Sequence, residues 1–252
     1  MSQYLQVAVQ AIKEAEKVIK SYYSEEIRAT LKPDQSPVTI ADKEAEQIIR
    51  KYISEAFPEH RILGEEGGKS NNNSSFLWVI DPIDGTKNYM RKVPLFASQL
   101  ALMKDGEVIL GISNAPALGE LMYAEKGTGA FLNGERVTIS NIEKVDNAYM
   151  SYGGIGYFQK HGLMNILLKL DSDTRAHRGI GDFWSYHLLA QGKIDIMLEA
   201  ETKLWDIAAV SLIVEEAGGT VTDLAGNPVN ESTTSIIATN GYLHKDVTNY
   251  FL

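Results

Sequence analysis

The stretch IDPIDGTKNY, residues 80–89, sets Asp81 and Asp84 three residues apart, separates them with Pro82 and Ile83, and follows them with Gly85 and Thr86. Pro82 fixes one backbone angle and removes a donor, which stiffens the turn where two carboxylates need set positions. Gly85 lets a ligand approach the main chain closely. The N–H groups of Gly85 and Thr86, if they open a helix or a nest, point at an anion. Carboxylates beside an anion require a cation between them, so the chemistry implied is a divalent metal next to a phosphate-like group. Taken alone, the two aspartates are explained equally well as caps of a tight turn.

Further acids bear on that choice. ILGEEGG places Glu65 and Glu66 in a glycine-rich loop after the apolar pair Ile62-Leu63, and KLWDIAAV places Asp206 at the start of a helical pattern. By itself Asp206 is also what a helix macrodipole favours at its N-terminus. Hard divalent ions such as Mg²⁺ take oxygen ligands and keep waters, so three or four carboxylates and a carbonyl suffice for a site shared with phosphate. Glu65, Asp81, Asp84 and Asp206 carry four negative charges, which two divalent cations balance. Without metal, four adjacent carboxylates repel and raise one another's pKa values.

The elements that must position these acids follow from apolar spacing. Val7, Ala8, Ala11, Ile12, Ala15, Val18, Ile19 and Tyr22 share one helical face, and so do Ala41, Ala45, Ile48, Ile49, Tyr52 and Ile53 in a second helix that stops near Phe57-Pro58. LKPDQSPVT, with two prolines, breaks the chain between them. FLWVI reads as a buried strand after the polar loop NNNSS, so the aspartate pair sits at a strand's carboxyl end. Hairpins are expected about the Lys-Asp-Gly turn of FASQLALMKDGEVILGISNA and the Asn-Gly of GAFLNGERVTIS, making residues 76–140 mainly sheet. Beyond them the pattern predicts a helix at 160–170, a strand near 175–179, a helix across FWSYHLLAQ ended by Gly192, and the strand IDIMLE. LWDIAAVSLIVEEAGG is a helix closed by Gly218, followed by a hairpin in TVTDLAGNPV, the strand SIIAT and a short terminal helix. A single unit over 1–252 is expected, with a soft boundary near 145 separating a metal-binding half, 1–144, from 145–252.

Composition narrows the function classes. The chain of 252 residues has no cysteine, excluding disulfides and thiolate metal sites, and its net charge of -9 argues against nucleic acid or an anionic membrane as partner. No stretch approaches the roughly 18 to 20 apolar residues that span a bilayer, and the Lys- and Glu-studded N-terminus lacks the features of a signal peptide. A cytoplasmic protein is expected. His60, His161, His177, His187 and His244 show no metal-ligand spacing, and Trp184 is the tryptophan that could line a pocket.

In order and spacing, GEE, DPIDGTKNY and LWDIAAVSLIVEEAGG resemble the three signatures of the inositol monophosphatase family, over residues from about 30 to 225. The resemblance implies an α/β (α+β) fold, a layered αβαβα sandwich of the inositol monophosphatase / fructose-1,6-bisphosphatase type. It implies Mg²⁺-dependent hydrolysis of a small-molecule phosphate monoester, two or three ions per active site, and a homodimer. By the same resemblance Glu65, Asp81 and the Ile83 carbonyl hold a first metal, and Asp81, Asp84 and Asp206 a second. Glu65, Thr86 and Asp42 act on the attacking water, Asp84 supports the leaving oxygen, and Gly85 and Thr86 bind phosphate. Asp42 also completes a Thr39-x-x-Asp42 capping pattern, a role compatible with catalysis.

Substrate choice rests on RGIGDFWSYHLLAQGKIDIMLE. Inositol-specific members typically carry a small or hydroxyl residue and alanines after that glycine, whereas Gly181 is followed here by Asp182, Phe183 and Trp184. GDFWSY and PALGELMYAEKGTGAF look like the bacterial histidinol-phosphate phosphatases of the family. Asp182 and Glu199 can pair with the ammonium and imidazole of histidinol phosphate, although Asp182 also suits a helix N-cap. The alternatives are another small substrate (inositol 1-phosphate, a sugar bisphosphate or a nucleotide) and a non-catalytic metal- or phosphate-binding regulatory module.

Overall fold

A computed structural model describes residues 2–25, 27, 29–32 and 37–252; Pro33, the first proline of the expected break, lies outside them. The elements in chain order are α1 (Gln3–Tyr23), β1 (Ala29–Leu31), β2 (Pro37–Thr39), α2 (Ile40–Ala56), β3 (Arg61–Gly64), β4 (Gly68–Lys69), β5 (Phe76–Asp84), α3 (Thr86–Met90), β6 (Ala97–Lys104), β7 (Glu107–Ala115), β8 (Glu120–Glu125), β9 (Gly129–Leu132) and β10 (Glu135–Val137). They continue as β11 (Tyr149–Tyr152), α4 (Ile155–Lys160), α5 (Met164–Asp173), β12 (Ala176–Arg178), α6 (Asp182–Ala190), β13 (Ile196–Glu199), α7 (Leu204–Glu216), β14 (Thr220–Thr222), β15 (Ile236–Thr239) and α8 (His244–Thr248).

The larger sheet runs β10-β9-β8-β7-β6-β5-β3-β4, antiparallel except for the β3–β5 pair. The smaller runs β12-β11-β13-β15-β14, parallel in its first three strands. Side-chain alternation along β5 shows why the layers stack. Trp78 and Ile80 join the core under α1 and α2, while Leu77 and Val79 meet Leu204, Ala208 and Ala209 of α7 on the other face. A strand buried on both faces reads as a continuous apolar run, which FLWVI is. In β13, Ile196 and Leu198 pack beneath α4, α5 and α8, and Met197 faces α6 and α7. The order is therefore helix pair, large sheet, helix pair, small sheet, outer helices: the expected αβαβα sandwich.

Both N-terminal helices are locally encoded. Ser2 caps α1 by accepting from the Leu5 N–H at 3.1 Å, and Thr39 with Asp42 forms a capping box on α2. Ala8, Ala11, Ile12, Ala15 and Ile19 of α1 pack on Ala41, Ala45, Ile49 and Ile53 of α2. No helix of the described residues is long and apolar enough to cross a membrane.

Two local expectations are corrected. The helix expected at 160–170 is α5, which starts only at Met164 and runs to Asp173; α4 ends at Lys160, and Gly162 turns the chain at φ 71° between the two. TVTDLAGNPV does not close a hairpin on itself: β14 pairs with β15, Thr220 opposite Thr239. The Asp223 carboxylate accepts the N–H groups of Ala225 and Asn227 and holds the intervening chain as a turn, and Pro228 has no N–H to give a ladder.

Candidate active site

The acids meet because of one irregularity in β5. In a regular strand, residues three apart point to opposite faces. Asp81 lies opposite Gln99 but Asp84 lies opposite Ala97, so β5 carries an extra residue between them. This bulge turns Asp84 toward the side that Asp81 already shares with Leu77 and Val79, the side of α7. Pro82 sits inside the bulge, where its missing N–H is not needed, and its carbonyl accepts from Ser98 at 2.7 Å. Glu199 alternates with Met197 in β13 and so faces the same helix layer from the small sheet.

The result is a cavity of about 200 Å³ where strand carboxyl ends and helix amino ends converge. Glu65, Asp81, Ile83, Asp84, Gly85 and Thr86 line one side; Asp182, Tyr186, Glu199, Glu201 and Asp206 line the other, with Gly153, Gly154 and Tyr157 at the end of β11. A wider groove of about 780 Å³ lies at the opposite ends of β11 and β13 and contains none of these residues.

Three aspartates share a pattern: one oxygen is pinned and the other accepts no hydrogen bond among the described residues. Asp81 Oδ1 accepts the Ile83 N–H at 2.9 Å. Asp84 Oδ2 accepts from Gln99 at 3.3 Å and from the Phe183 N–H at 3.2 Å. Asp206 Oδ2 accepts from the Lys203 N–H at 2.8 Å and the Thr202 hydroxyl at 3.1 Å. Such anchoring fixes each carboxylate while leaving an oxygen for a ligand.

Charge crowding is severe. Burial, then Glu65, Asp84 and Asp206, raise the Asp81 carboxyl well above its ordinary value. Burial, then Asp182, Asp206 and Glu199, do the same to Asp84, and burial with Asp206 and Asp182 does it to Glu199. Asp206 rises from 3.8 to about 6, burial again leading. Among the described residues no three acidic or histidine side chains converge tightly enough to cage an ion as they stand. The donors are all hard oxygens, which suits Mg²⁺ and not a soft metal.

Thr86 opens α3 behind Gly85, whose φ of 87° favours glycine and where a Cβ would lie 2.8 Å from the Leu95 carbonyl. The Thr86 hydroxyl reaches Asp42 Oδ1 at 3.3 Å and the Ile83 carbonyl at 3.0 Å. Asp42 keeps its other oxygen on Thr39, and burial raises its pKa. Capping and contact with Thr86 coexist in one side chain. Glu65 accepts from Lys32 at 2.7 Å.

Every acid, glycine and threonine expected at the site lines the cavity except Asp42, which reaches it through Thr86; Trp184, the tryptophan expected to line a pocket, packs instead against the core between α6 and α7. The N-cap reading of Asp182 fails: Gly181 occupies that position, and Asp182 is the first residue of α6, exposed and at φ 48°. Sequence reasoning missed Tyr157, Tyr186 and Glu201 on the cavity wall, and Glu46 behind it. Glu46 is 2% exposed and accepts the N–H groups of Glu66 and Gly67, each at 2.8 Å, holding the Glu65 loop. The signal was a glutamate on the apolar face of α2, four residues after Asp42 and four before Arg50.

A layered sandwich with an all-oxygen acidic cleft beside a glycine-opened helix is the architecture of a metal-dependent phosphomonoesterase. The chain belongs to the inositol monophosphatase family, whose profile matches residues 1–251. The histidinol-phosphatase of Streptomyces coelicolor is 39% identical over 234 residues, 89% of this chain and 87% of that protein. The fructose-1,6-bisphosphatase/inositol-1-monophosphatase of Thermotoga maritima is 38% identical over 211 residues, 83% and 80% of the two chains. Among solved structures, the extragenic suppressor protein suhB from Bartonella henselae superposes with a TM-score of 0.90 at 30% identity, covering 99% of this chain and 98% of that one. The protein is a phosphatase of this family.

Proposed function

We propose that this phosphatase hydrolyses histidinol phosphate, and that Glu65, Asp81, the Ile83 carbonyl, Asp84 and Asp206 hold its Mg²⁺. The observation that carries the substrate is the further acid in the cavity: Asp182 and Glu199 line it in addition to the four acids assigned to metal, while Glu201 is already paired with Lys160 and His161. A cationic leaving group suits that charge, and a polyol leaves it unanswered. Four ionised metal-site acids call for two divalent ions. When bound, Mg²⁺ supplies Lewis acidity that offsets phosphate charge and lowers the pKa of water.

The chain's own groups divide the remaining work. Thr86 donates its hydroxyl proton to Asp42 and so presents a lone pair to the attacking water, which it orients. Asp42, with its raised pKa, is suited to take up the proton that water releases. The N–H groups of Gly85 and Thr86, free at the start of α3, bind phosphate oxygens. Asp182 and Glu199 accept hydrogen bonds from the ammonium and imidazole.

A second reading, inositol 1-phosphate, is favoured by the nearly equal similarity to the Thermotoga maritima enzyme. Asp182→Ala separates the two. Loss of a charge-assisted contact of about 1.5 to 3 kcal/mol lowers kcat/KM for histidinol phosphate about 10- to 100-fold and leaves inositol 1-phosphate turnover within about threefold. Equal losses on both substrates contradict the proposal.

A further inference from the structure

Tyr186 carries a buried phenol in the cavity wall that no group among the described residues satisfies. Its side chain is 1% exposed, and its hydroxyl is buried with no hydrogen-bond partner. The ring packs with Phe183, Leu189 and Met197. The hydroxyl end feels the charges of Glu199, Asp84, Asp206 and Asp182, in that order. Tyr186 lines the same cavity as Asp182 and Glu199, the acids assigned to the leaving group.

The position is rigid. Asp182 and Tyr186 are four apart and share a face of α6. The helix is tied at its start by the Phe183 N–H on Asp84, in the middle by the Ser185 hydroxyl at 2.7 Å from that of Ser151, and one residue beyond Tyr186 by His187, which bridges Glu120 at 2.8 Å and Ser113 at 2.7 Å. The phenol cannot turn away to find a partner without unseating these contacts. A phenol is protonated near neutral pH, so it holds both a proton to donate and lone pairs to accept. A buried hydroxyl left unpaired is unfavourable, no group among the described residues relieves it, and the cavity that Tyr186 lines is where a partner can enter.

We infer that Tyr186 is a substrate-binding residue whose hydroxyl hydrogen-bonds a nitrogen or oxygen of the leaving group, beside Glu199 and Asp182. The carboxylates accept N–H or O–H groups, and Tyr186 is the neutral donor that can meet an acceptor atom such as the unprotonated nitrogen of an imidazole. The inference rests on the phosphatase site, and only its choice of leaving group rests on the histidinol reading.

The test compares wild type with Tyr186→Phe on histidinol phosphate, inositol 1-phosphate and p-nitrophenyl phosphate at saturating Mg²⁺. The leaving group of p-nitrophenyl phosphate carries no ammonium, imidazole or hydroxyl substituent, so this substrate reports the phosphate and metal end. The expected result is a kcat/KM loss of about tenfold on the preferred natural monoester, the size of one neutral hydrogen bond, seen mainly in KM, with p-nitrophenyl phosphate within twofold. The Tm of the ligand-free variant should equal or exceed that of wild type, because an unpartnered buried hydroxyl is removed. Equal losses on all three substrates, no loss on any, or a Tm lowered by more than about 3 °C, which is about 1 kcal/mol in a chain this size, overturns the inference. If wild type prefers inositol 1-phosphate and the variant loses that activity selectively, the role of Tyr186 stands and the histidinol reading falls.

Discussion

Removing Mg²⁺ should make the stability of this protein depend on pH in an unusual direction. Asp81, Asp84 and Glu199 have carboxyl groups held well above their ordinary values, and Asp206 is held at about 6. A group whose pKa is higher in the folded than in the unfolded chain stabilises the fold fully below its unfolded value, and that contribution is lost as pH rises through the folded value. Acidification from pH 8 to 6.5 should therefore stabilise the metal-free protein. A carboxyl contributes up to about 1.4 kcal/mol per pH unit while it is protonated in the fold and ionised in the unfolded chain, so each raised carboxyl sets a ceiling of about 2 kcal/mol over this window. For a domain of this size that is about 4 to 8 °C in Tm. The window stops at 6.5 because the buried His187, lowered by burial, loses stability as pH falls further. With Mg²⁺ at about 100 times its Kd, the fold gains about 2.7 kcal/mol at pH 8, and the pH dependence flattens because the acids stay ionised on the metal. Differential scanning fluorimetry with chelator and with Mg²⁺, at pH 8, 7.25 and 6.5, measures both effects. Asp206→Asn should raise the metal-free Tm at pH 8 and shrink the Mg²⁺ shift. A metal-free Tm that is flat or falls on acidification, or a rise that persists unchanged in Mg²⁺, refutes the crowded-carboxylate account.

Two other substitutions probe the machinery around the acids. Thr86→Val removes the hydroxyl between Asp42 and the Ile83 carbonyl; kcat should fall about 10²- to 10³-fold with Tm unchanged, and Thr86→Ser should restore most of it. Glu46→Gln removes the charge that receives the Glu66 and Gly67 N–H groups and the Arg50 guanidinium. At about 2 to 3 kcal/mol for such a buried site, thermal melts should show a Tm lower by about 4 to 12 °C. Titration of activity should show a weaker Mg²⁺ response, because the Glu65 loop loses its support; an unchanged Mg²⁺ response would show that Glu46 supports only the fold.

What the sequence made legible were features encoded within a few residues. The faces of α1 and α2, the Thr39–Asp42 cap, the β6–β7 turn at Asp105-Gly106 and the end of α7 at Gly218 each follow from local spacing or a single glycine. The aspartate pair was legible as chemistry, but the bulge that turns Asp84 beside Asp81 depends on how β6 pairs with β5, which no local pattern states. Glu46 and Tyr186 were hidden for a related reason. Each is a polar group on an otherwise apolar helix face: the N–H groups that Glu46 accepts lie about 20 positions away, and the Tyr186 hydroxyl has no partner among the described residues. The TVTDLAGNPV hairpin failed because Asp223 offered the turn a side-chain partner and β15 offered β14 a longer strand.

Phosphate release from histidinol phosphate and inositol 1-phosphate, assayed side by side with Mg²⁺ and with chelator, tests the central claim most directly. The account predicts release that requires Mg²⁺ and a kcat/KM for histidinol phosphate at least about tenfold above that for inositol 1-phosphate, the weight of one charge-assisted contact. A preference for inositol 1-phosphate would contradict the substrate assignment, and release undiminished by chelator would contradict the metal site itself.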